Sequence, residues 1–189
     1  TFYAQFRLKP VGKFLLRVGT ELGRRLHEHG MNWWDKQLAE YQALPAYEDF
    51  PGEWEQALVA MGGALGDYPF WLLTSRSMQY AWGGNVGMQM IKEVADNIAG
   101  HGGVIVNAGR AKELGIGEGE VVEVCSTVGS TRGPAVLTQG IRPDTLVIVG
   151  QFDQWAQPYA KDMHAPSMNA LVPMSLDLTD ATGSGADIV

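Results

Sequence analysis

The chain has 189 residues, of which 46% are hydrophobic, and this is enough for one substantial globular domain with an appended helical segment. Its net charge of -7 and its pI near 5.0 argue against a nucleic-acid-binding surface. The single cysteine excludes an internal disulfide framework, no apolar run is long enough to span a bilayer, and the start shows no signal-peptide pattern.

Residues 1–66 have the patterns of helices and connecting segments. Apolar residues recur at helical spacing between Pro10, which suits a first helical position, and Gly30, which favours a stop. A second helix is expected after Asn32, because an asparagine side chain can cap it. Residues 45–69 are rich in proline, glycine and acids, which predicts an irregular connector. Because the chain as a whole is acidic, the basic residues of the first helix are more typical of the solvated face of a docking helix than of a helix that binds an anionic membrane surface.

Residues 67–189 alternate between short apolar runs and turn residues. Asn85 can cap a helix that extends to 98, and Gly115 can end a short helix over 111–114 in the left-handed conformation. The loop at about 151–175 is long enough to indicate a functional role. Apolar runs and alternation predict strands at 69–73, which should be buried, and at 104–106, 120–126, 135–137 and 146–149.

One stretch, 107–149, carries most of the information. It begins Asn-Ala-Gly-Arg-Ala-Lys-Glu-Leu-Gly-Ile-Gly-Glu-Gly-Glu-Val-Val-Glu-Val, continues through a hairpin turn at 128–130, and ends with Ile-Arg-Pro before the last strand. This order of elements resembles the C-terminal cofactor-binding domain of the dimethyl-sulfoxide-reductase family of molybdenum and tungsten oxidoreductases. The sequence departs from the family pattern at Ala108, where proline is usual, and at Glu120, where aspartate is usual.

The resemblance implies a mainly β fold with flanking helices, a six-stranded double-psi β-barrel over 67–189. The helical segment 1–66 would then belong to the preceding region of a parent chain. We expect a fragment of a larger polypeptide, because Thr1 is not a methionine and Ile188-Val189 looks like the opening of another strand.

Residues 74–77 form the second informative segment, since a strand that ends in hydroxyls and an arginine presents hydrogen-bond donors at its tip. From spacing alone a surface turn is the better interpretation. The family, however, opens this domain with Leu-x-Thr-x-Arg in contact with the pterin dinucleotide, and it has a late Asn-x-Leu motif that matches Asn169. The resemblance therefore implies a cofactor-binding set: Thr74, Ser75, Arg76, Ser77, Gln79, Gly84, Asn85, Gln151 and Asn169.

No catalytic residue and no metal ligand is predicted in this chain. The four histidines show no ligand spacing with carboxylates or cysteines. Cys125 lies between valines in a predicted strand, so we expect a buried structural thiol. In the family, the metal ligand comes from an earlier domain.

The resemblance also implies cofactors and partners. The parent would carry molybdopterin guanine dinucleotide with Mo or W, iron–sulfur clusters elsewhere, and two-electron redox chemistry, while the isolated fragment should bind no cofactor and be inactive. Its partners would be the preceding catalytic domains of the same polypeptide and an iron–sulfur electron-transfer subunit. The compartment stays open, with a lean to the cytoplasm and to membrane association through partner subunits.

The substrate stays open as well. Segments 30–35, 41–45 and 74–85 are similar to the large subunits of phenylacetyl-CoA:acceptor oxidoreductases. Polysulfide, thiosulfate and arsenate reductases share the generic motifs. Two further alternatives are a double-psi barrel that acts as a protein-binding module and a stand-alone small subunit that binds pterin in trans.

Overall fold

The computed structural model describes residues 9–39, 47, 49–80, 87–98, 100, 102–149 and 165–173. They fall into two compact units, which divide between Phe50 and Pro51. In these ranges no helix combines the length and the apolar character that a membrane span requires.

The described part of the first unit forms helices α1 (Lys9–Glu28) and α2 (Asp35–Ala39). The predicted first helix is confirmed, and Gly30 follows it with a φ of 70°, the left-handed conformation that favours glycine. The second helix begins later than predicted, so Trp34 and not Asn32 precedes its first residue. The predicted cap at Asn32 is therefore wrong.

The second unit begins with a helix that the sequence did not predict. Helix α3 (Phe50–Ala60) lies inside the segment 45–69, which was expected to be irregular. Pro51 falls in its first turn, where a proline loses no helical hydrogen bond, and the alanine- and leucine-containing end favours helix. The acidic and proline-rich composition thus marked the start of a helix rather than a connector.

A mixed sheet of five strands forms the centre of the second unit, in the order β1-β5-β2-β4-β3. Strands β1 and β5 are parallel, as are β2 and β4, whereas β2 with β5 and β3 with β4 are antiparallel. Among the described elements, α4 (Gln89–Ala95) and α5 (Ala108–Leu114) flank it. The strands are β1 (Trp71–Ser75), β2 (Val104–Asn107), β3 (Val121–Cys125), β4 (Ser130–Thr138) and β5 (Thr145–Val149).

The sheet curls around one core cluster. This central cluster consists of the buried residues Val104, Val106, Ala111, Ile148 and Leu171. Side chains from both outer strands pack against it, Leu72 from β1 and Val122 and Val124 from β3. In a flat sheet these strands would lie about 19 Å apart, four strand spacings. The sheet therefore bends toward a barrel, and the predicted mainly β, barrel-like fold with flanking helices is confirmed.

The connection from α5 to β3 follows the sequence closely. Gly115 ends α5 with a φ of 73°, and Gly119 opens the next turn with a φ of 75°. The Gly119 N–H donates to the carbonyl of Ala135 at 2.8 Å, which ties the turn to β4. The Gly117 N–H donates to Glu120 Oε2 at 2.9 Å, so glutamate performs the turn-closing role at this position.

Four elements differ from the prediction in their bounds. Strand β4 begins at Ser130 rather than at 135, and helix α5 begins at Ala108 rather than at 111. Strand β1 covers Trp71–Ser75 rather than 69–73 and is only partly buried, with Trp71 and Leu73 43% and 52% exposed. Among the described strands it has a neighbour on one side only, which leaves its outer edge accessible. Helix α4 starts at Gln89 and ends at Ala95, and its predicted cap, Asn85, lies outside the described residues.

Candidate functional site

The end of β1 presents the first group of predicted site residues. Thr74 is exposed, Ser75 is the half-buried last residue of the strand, and Arg76 follows it in an exposed position. Because β1 and β5 are parallel, Ser75 lies opposite Val149 at the carboxyl ends of both strands. The predicted site residue Gln151 follows β5 by two positions and lies outside the described residues, as do Gly84 and Asn85.

Arg76 differs from the other arginines of its unit. Arg110 forms an ion pair with Glu113, Arg132 with Glu123 and Arg142 with Asp144, at 2.9, 3.2 and 2.6 Å. Within the described part of this unit, Arg76 is the arginine without a carboxylate partner. Its five N–H donors are therefore available to an anion, and a guanidinium can hold two phosphate oxygens at once.

Ser77 and Gln79 form a small turn directly after Arg76. The Ser77 hydroxyl donates to Gln79 Oε1 at 2.8 Å, and the Gln79 N–H donates back to Ser77 Oγ at 3.2 Å. Tyr80 follows, fully buried against Ala95 and Val149, and burial raises the pKa of its phenol. The turn thus connects an exposed arginine to a core residue, which restricts the path of the backbone at Arg76.

Asn169 lies in a short 3₁₀ helix, Met168–Ala170, which packs beside β4 rather than beside β1. It is exposed, while Leu171 is buried in the central cluster and Met168 packs against that cluster. The Ser167 N–H donates to Thr131 Oγ1 at 2.7 Å, which attaches this segment to β4.

The strand register relates these groups to one another. Thr74 lies opposite Ile148, Ile148 opposite Val104, and Val104 opposite Ala135, so these four residues form one row on one face of the sheet. Arg76 lies two residues beyond this row, after the carboxyl end of β1. Thr131, which holds the Asn169 segment, lies beyond the row at the same end of the sheet, near the start of β4. In the sheet, β5 and β2 lie between the two strands, β1 and β4, that carry these groups. Thr74 and the Asn169 segment therefore share a face and an end of the sheet.

Asn107 is a residue whose part the sequence did not reveal. It is 6% exposed, its Oδ1 accepts a hydrogen bond from the Arg110 N–H at 3.1 Å, and its Nδ2 donates to the Ile141 carbonyl at 2.8 Å. It caps α5 and joins that helix to the turn before β5. The predicted helix began only at 111, so the sequence analysis did not identify the cap, and nothing in the sequence signalled the bond to a residue 34 positions away.

No group of three or more histidines, cysteines, aspartates or glutamates among the described residues could hold a metal ion. Cys125 is exposed, not buried as predicted, because it ends β3, the outer strand at the other margin of the five described strands.

Comparison with known proteins identifies a family. The family model described as "Molydopterin dinucleotide binding domain" matches residues 70–186. Acetylene hydratase from Pelobacter acetylenicus has a similar structure, with a TM-score of 0.51 and 14% sequence identity over 76% of this chain. The chain spans 19% of the length of that protein. No curated protein matches the chain.

Proposed function

The chain belongs to the molybdopterin dinucleotide-binding domain family, and we propose that it binds the cofactor through the end of the sheet that carries Arg76 and the Asn169 segment. The single observation that carries this proposal is Arg76, an exposed arginine without a carboxylate partner in the described part of its unit. An arginine in that state suits the pyrophosphate of a dinucleotide.

The chemistry of the donor set fits such a group. Arg76 and Thr74 offer a charged fork and a hydroxyl to anionic oxygens, and the Asn169 carboxamide offers both a donor and an acceptor to a pterin edge. Ser75, Ser77, Gln79, Gly84, Asn85 and Gln151 complete the proposed set, with Ser77 and Gln79 shaping the turn that carries Arg76.

For the complete polypeptide we propose a molybdopterin oxidoreductase catalytic subunit, of which this chain forms the C-terminal part. The bound group would supply two-electron redox chemistry at Mo or W, with iron–sulfur clusters and an electron-transfer subunit as partners. The residues of this chain would bind and orient the cofactor and keep its polar edges hydrogen-bonded. Trp33 and Trp34, 63% and 37% exposed, are candidates for contact with the preceding domains.

The proposed substrate of that polypeptide is phenylacetyl-CoA. The similarity of segments 30–35, 41–45 and 74–85 to the large subunits of phenylacetyl-CoA:acceptor oxidoreductases supports it. Polysulfide, thiosulfate and arsenate are the alternatives. The complete protein should reduce an artificial electron acceptor when phenylacetyl-CoA is the electron donor. It should not oxidise a reduced artificial donor when polysulfide, thiosulfate or arsenate is the electron acceptor; the opposite pair of results would contradict the proposed substrate.

The experiment that tests the binding site is Arg76→Ala in the complete oxidoreductase. Loss of a hydrogen-bonded charge at a ligand weakens binding by about 10- to 100-fold. We expect a lower pterin content, measured by fluorescence after oxidation, and an equal fall in metal content. Arg142→Ala is the matched control, because Arg142 is an arginine of the same unit that is paired with Asp144 at the opposite end of the sheet. Wild-type pterin and metal content in the Arg76→Ala protein would remove Arg76 from the site.

A further inference from the structure

Asn169 is the one exposed residue in the segment 165–173. Pro166 and Leu171 are buried, and the other residues of the segment are partly buried. Since Leu171 belongs to the central cluster and Met168 packs against it, the backbone on both sides of Asn169 is anchored in the core. A short segment with this pattern holds a single polar side chain toward the solvent.

The opposing surface belongs to β4 and the residue just before it. Gly129, Thr131 and Gly133 are two positions apart, so they face the same side of the strand. A Cβ at Gly129 would lie 2.6 Å from the carbonyl oxygen of Ala170, and a Cβ at Gly133 would lie 2.8 Å from Pro166 Cδ. Contacts that short do not occur, so only glycine permits the Asn169 segment to approach β4 this closely.

Thr131 lies between the two glycines and makes the polar contact. It is 9% exposed, and its Oγ1 accepts the hydrogen bond from the Ser167 N–H at 2.7 Å. A buried backbone N–H needs a partner, and here a side-chain hydroxyl takes the place that a strand carbonyl would have in a ladder. This hydrogen bond fixes the position of the segment along β4, although the segment does not form a strand.

We propose that Gly129, Thr131 and Gly133 form a seat that fixes the position of Asn169, and that Thr131 is a positioning residue for the ligand contact of Asn169. This inference rests on the proposed function, in which the Asn169 carboxamide binds the pterin. Two glycines set how closely the segment approaches, and the threonine hydroxyl sets its register. A carboxamide that must form directional hydrogen bonds with a ligand depends on both.

Thr131→Val removes the hydroxyl with little change in shape, and Thr131→Ser keeps an acceptor at the same place. In the purified chain, amide hydrogen exchange of Ser167 should be about tenfold faster in the valine variant, the effect of losing one hydrogen bond, and close to wild type in the serine variant. The Val106 amide, in β2, is the internal reference. It should keep its exchange rate if the change is confined to the seat.

In the complete oxidoreductase, pterin content provides the second readout. Thr131→Val should lower it as Asn169→Ala does, Thr131→Ser should retain it, and the double variant should be no lower than Asn169→Ala alone, since the two act through one contact. Unchanged Ser167 exchange in the valine variant would disprove the seat. Faster exchange with wild-type pterin content, beside a low content in Asn169→Ala, would disprove the positioning role. Wild-type content in Asn169→Ala would remove Asn169 from the site and the positioning role with it, while Arg76→Ala still tests the binding site separately.

Discussion

Replacement of Asn107 by alanine should destabilise the second unit by about 2–3 kcal/mol. The side chain caps α5 through the Arg110 N–H at 3.1 Å, and loss of an asparagine cap costs about 1 kcal/mol. It also donates to the Ile141 carbonyl at 2.8 Å, and loss of that bond in a buried site costs about 1–2 kcal/mol. The two contributions join different elements, so we expect them to add.

Serine at position 107 separates the two contributions. A serine hydroxyl caps a helix about as well as an asparagine, but it is too short to reach the turn before β5. Asn107→Ser should therefore lose about 1–2 kcal/mol and fall between wild type and alanine. Urea denaturation followed through the amide NMR signals of β2, α5 and β5 restricts the measurement to the second unit, and the midpoint difference multiplied by the slope yields the free-energy change.

Two results would contradict this account. An Asn107→Ala protein within about 0.5 kcal/mol of wild type would mean that water replaces both hydrogen bonds at no cost. A serine variant as unstable as the alanine variant would mean that the bridge to Ile141, not the cap, accounts for the whole effect.

Two further predictions concern residues of helices α5 and α1. Ala108→Pro should stabilise the second unit by about 0.4–1 kcal/mol, because position 108 is the first residue of α5. The backbone of Asn107, with a φ of -61° and a ψ of 127°, also suits a residue before proline. A lower midpoint of urea denaturation would show that the Ala108 N–H donates a hydrogen bond that the proline ring removes. In α1, hydrogen bonds from Arg24 and then Arg25 lower the pKa of Glu21 from 4.5 to about 2. A lowered carboxylate pKa contributes stability that is fully present above about pH 4.5 and is lost as the pH falls toward 2. An NMR titration of the Glu21 side chain should therefore have its midpoint near 2. Arg24→Ala should raise this midpoint, because it removes the largest cause of the shift. A midpoint at 4.5 in the wild-type chain would contradict the ion pairs.

Local chemistry explains which elements could be predicted. Gly115 and Gly119 adopt positive φ where the sequence placed turns, because glycine is the residue that reaches this conformation without strain. The strands β2, β3 and β5 follow apolar alternation or apolar runs of the expected length. These signals act within a few residues, so they do not depend on what the rest of the chain does.

The failures depend on tertiary context. Strand β1 was predicted as buried, but Trp71 and Leu73, which share one of its faces, are 43% and 52% exposed, and apolar composition does not encode whether a face is covered. Cys125 was predicted as buried for the same reason, since alternation with valines tells which face a residue occupies but not whether that face is covered. Helix α3 was missed because proline and acids at a helix start resemble a loop.

The residues that identify the family and the residues proposed to bind the ligand are different sets. Within the signature stretch 107–149, Asn107 bonds to Ile141 and Gly119 to Ala135, so the signature encodes the connections that close the sheet around its core. The proposed contacts, Arg76 and Asn169, lie before and after that stretch, in connecting segments that the curled sheet brings to one end. Spacing alone therefore favoured a surface turn at 74–77. Arg76 differs from an ordinary surface arginine because it lacks a carboxylate partner among its described neighbours, which is a property of the folded unit. Asn169 differs from an ordinary surface asparagine because the seat holds its backbone while its side chain stays exposed.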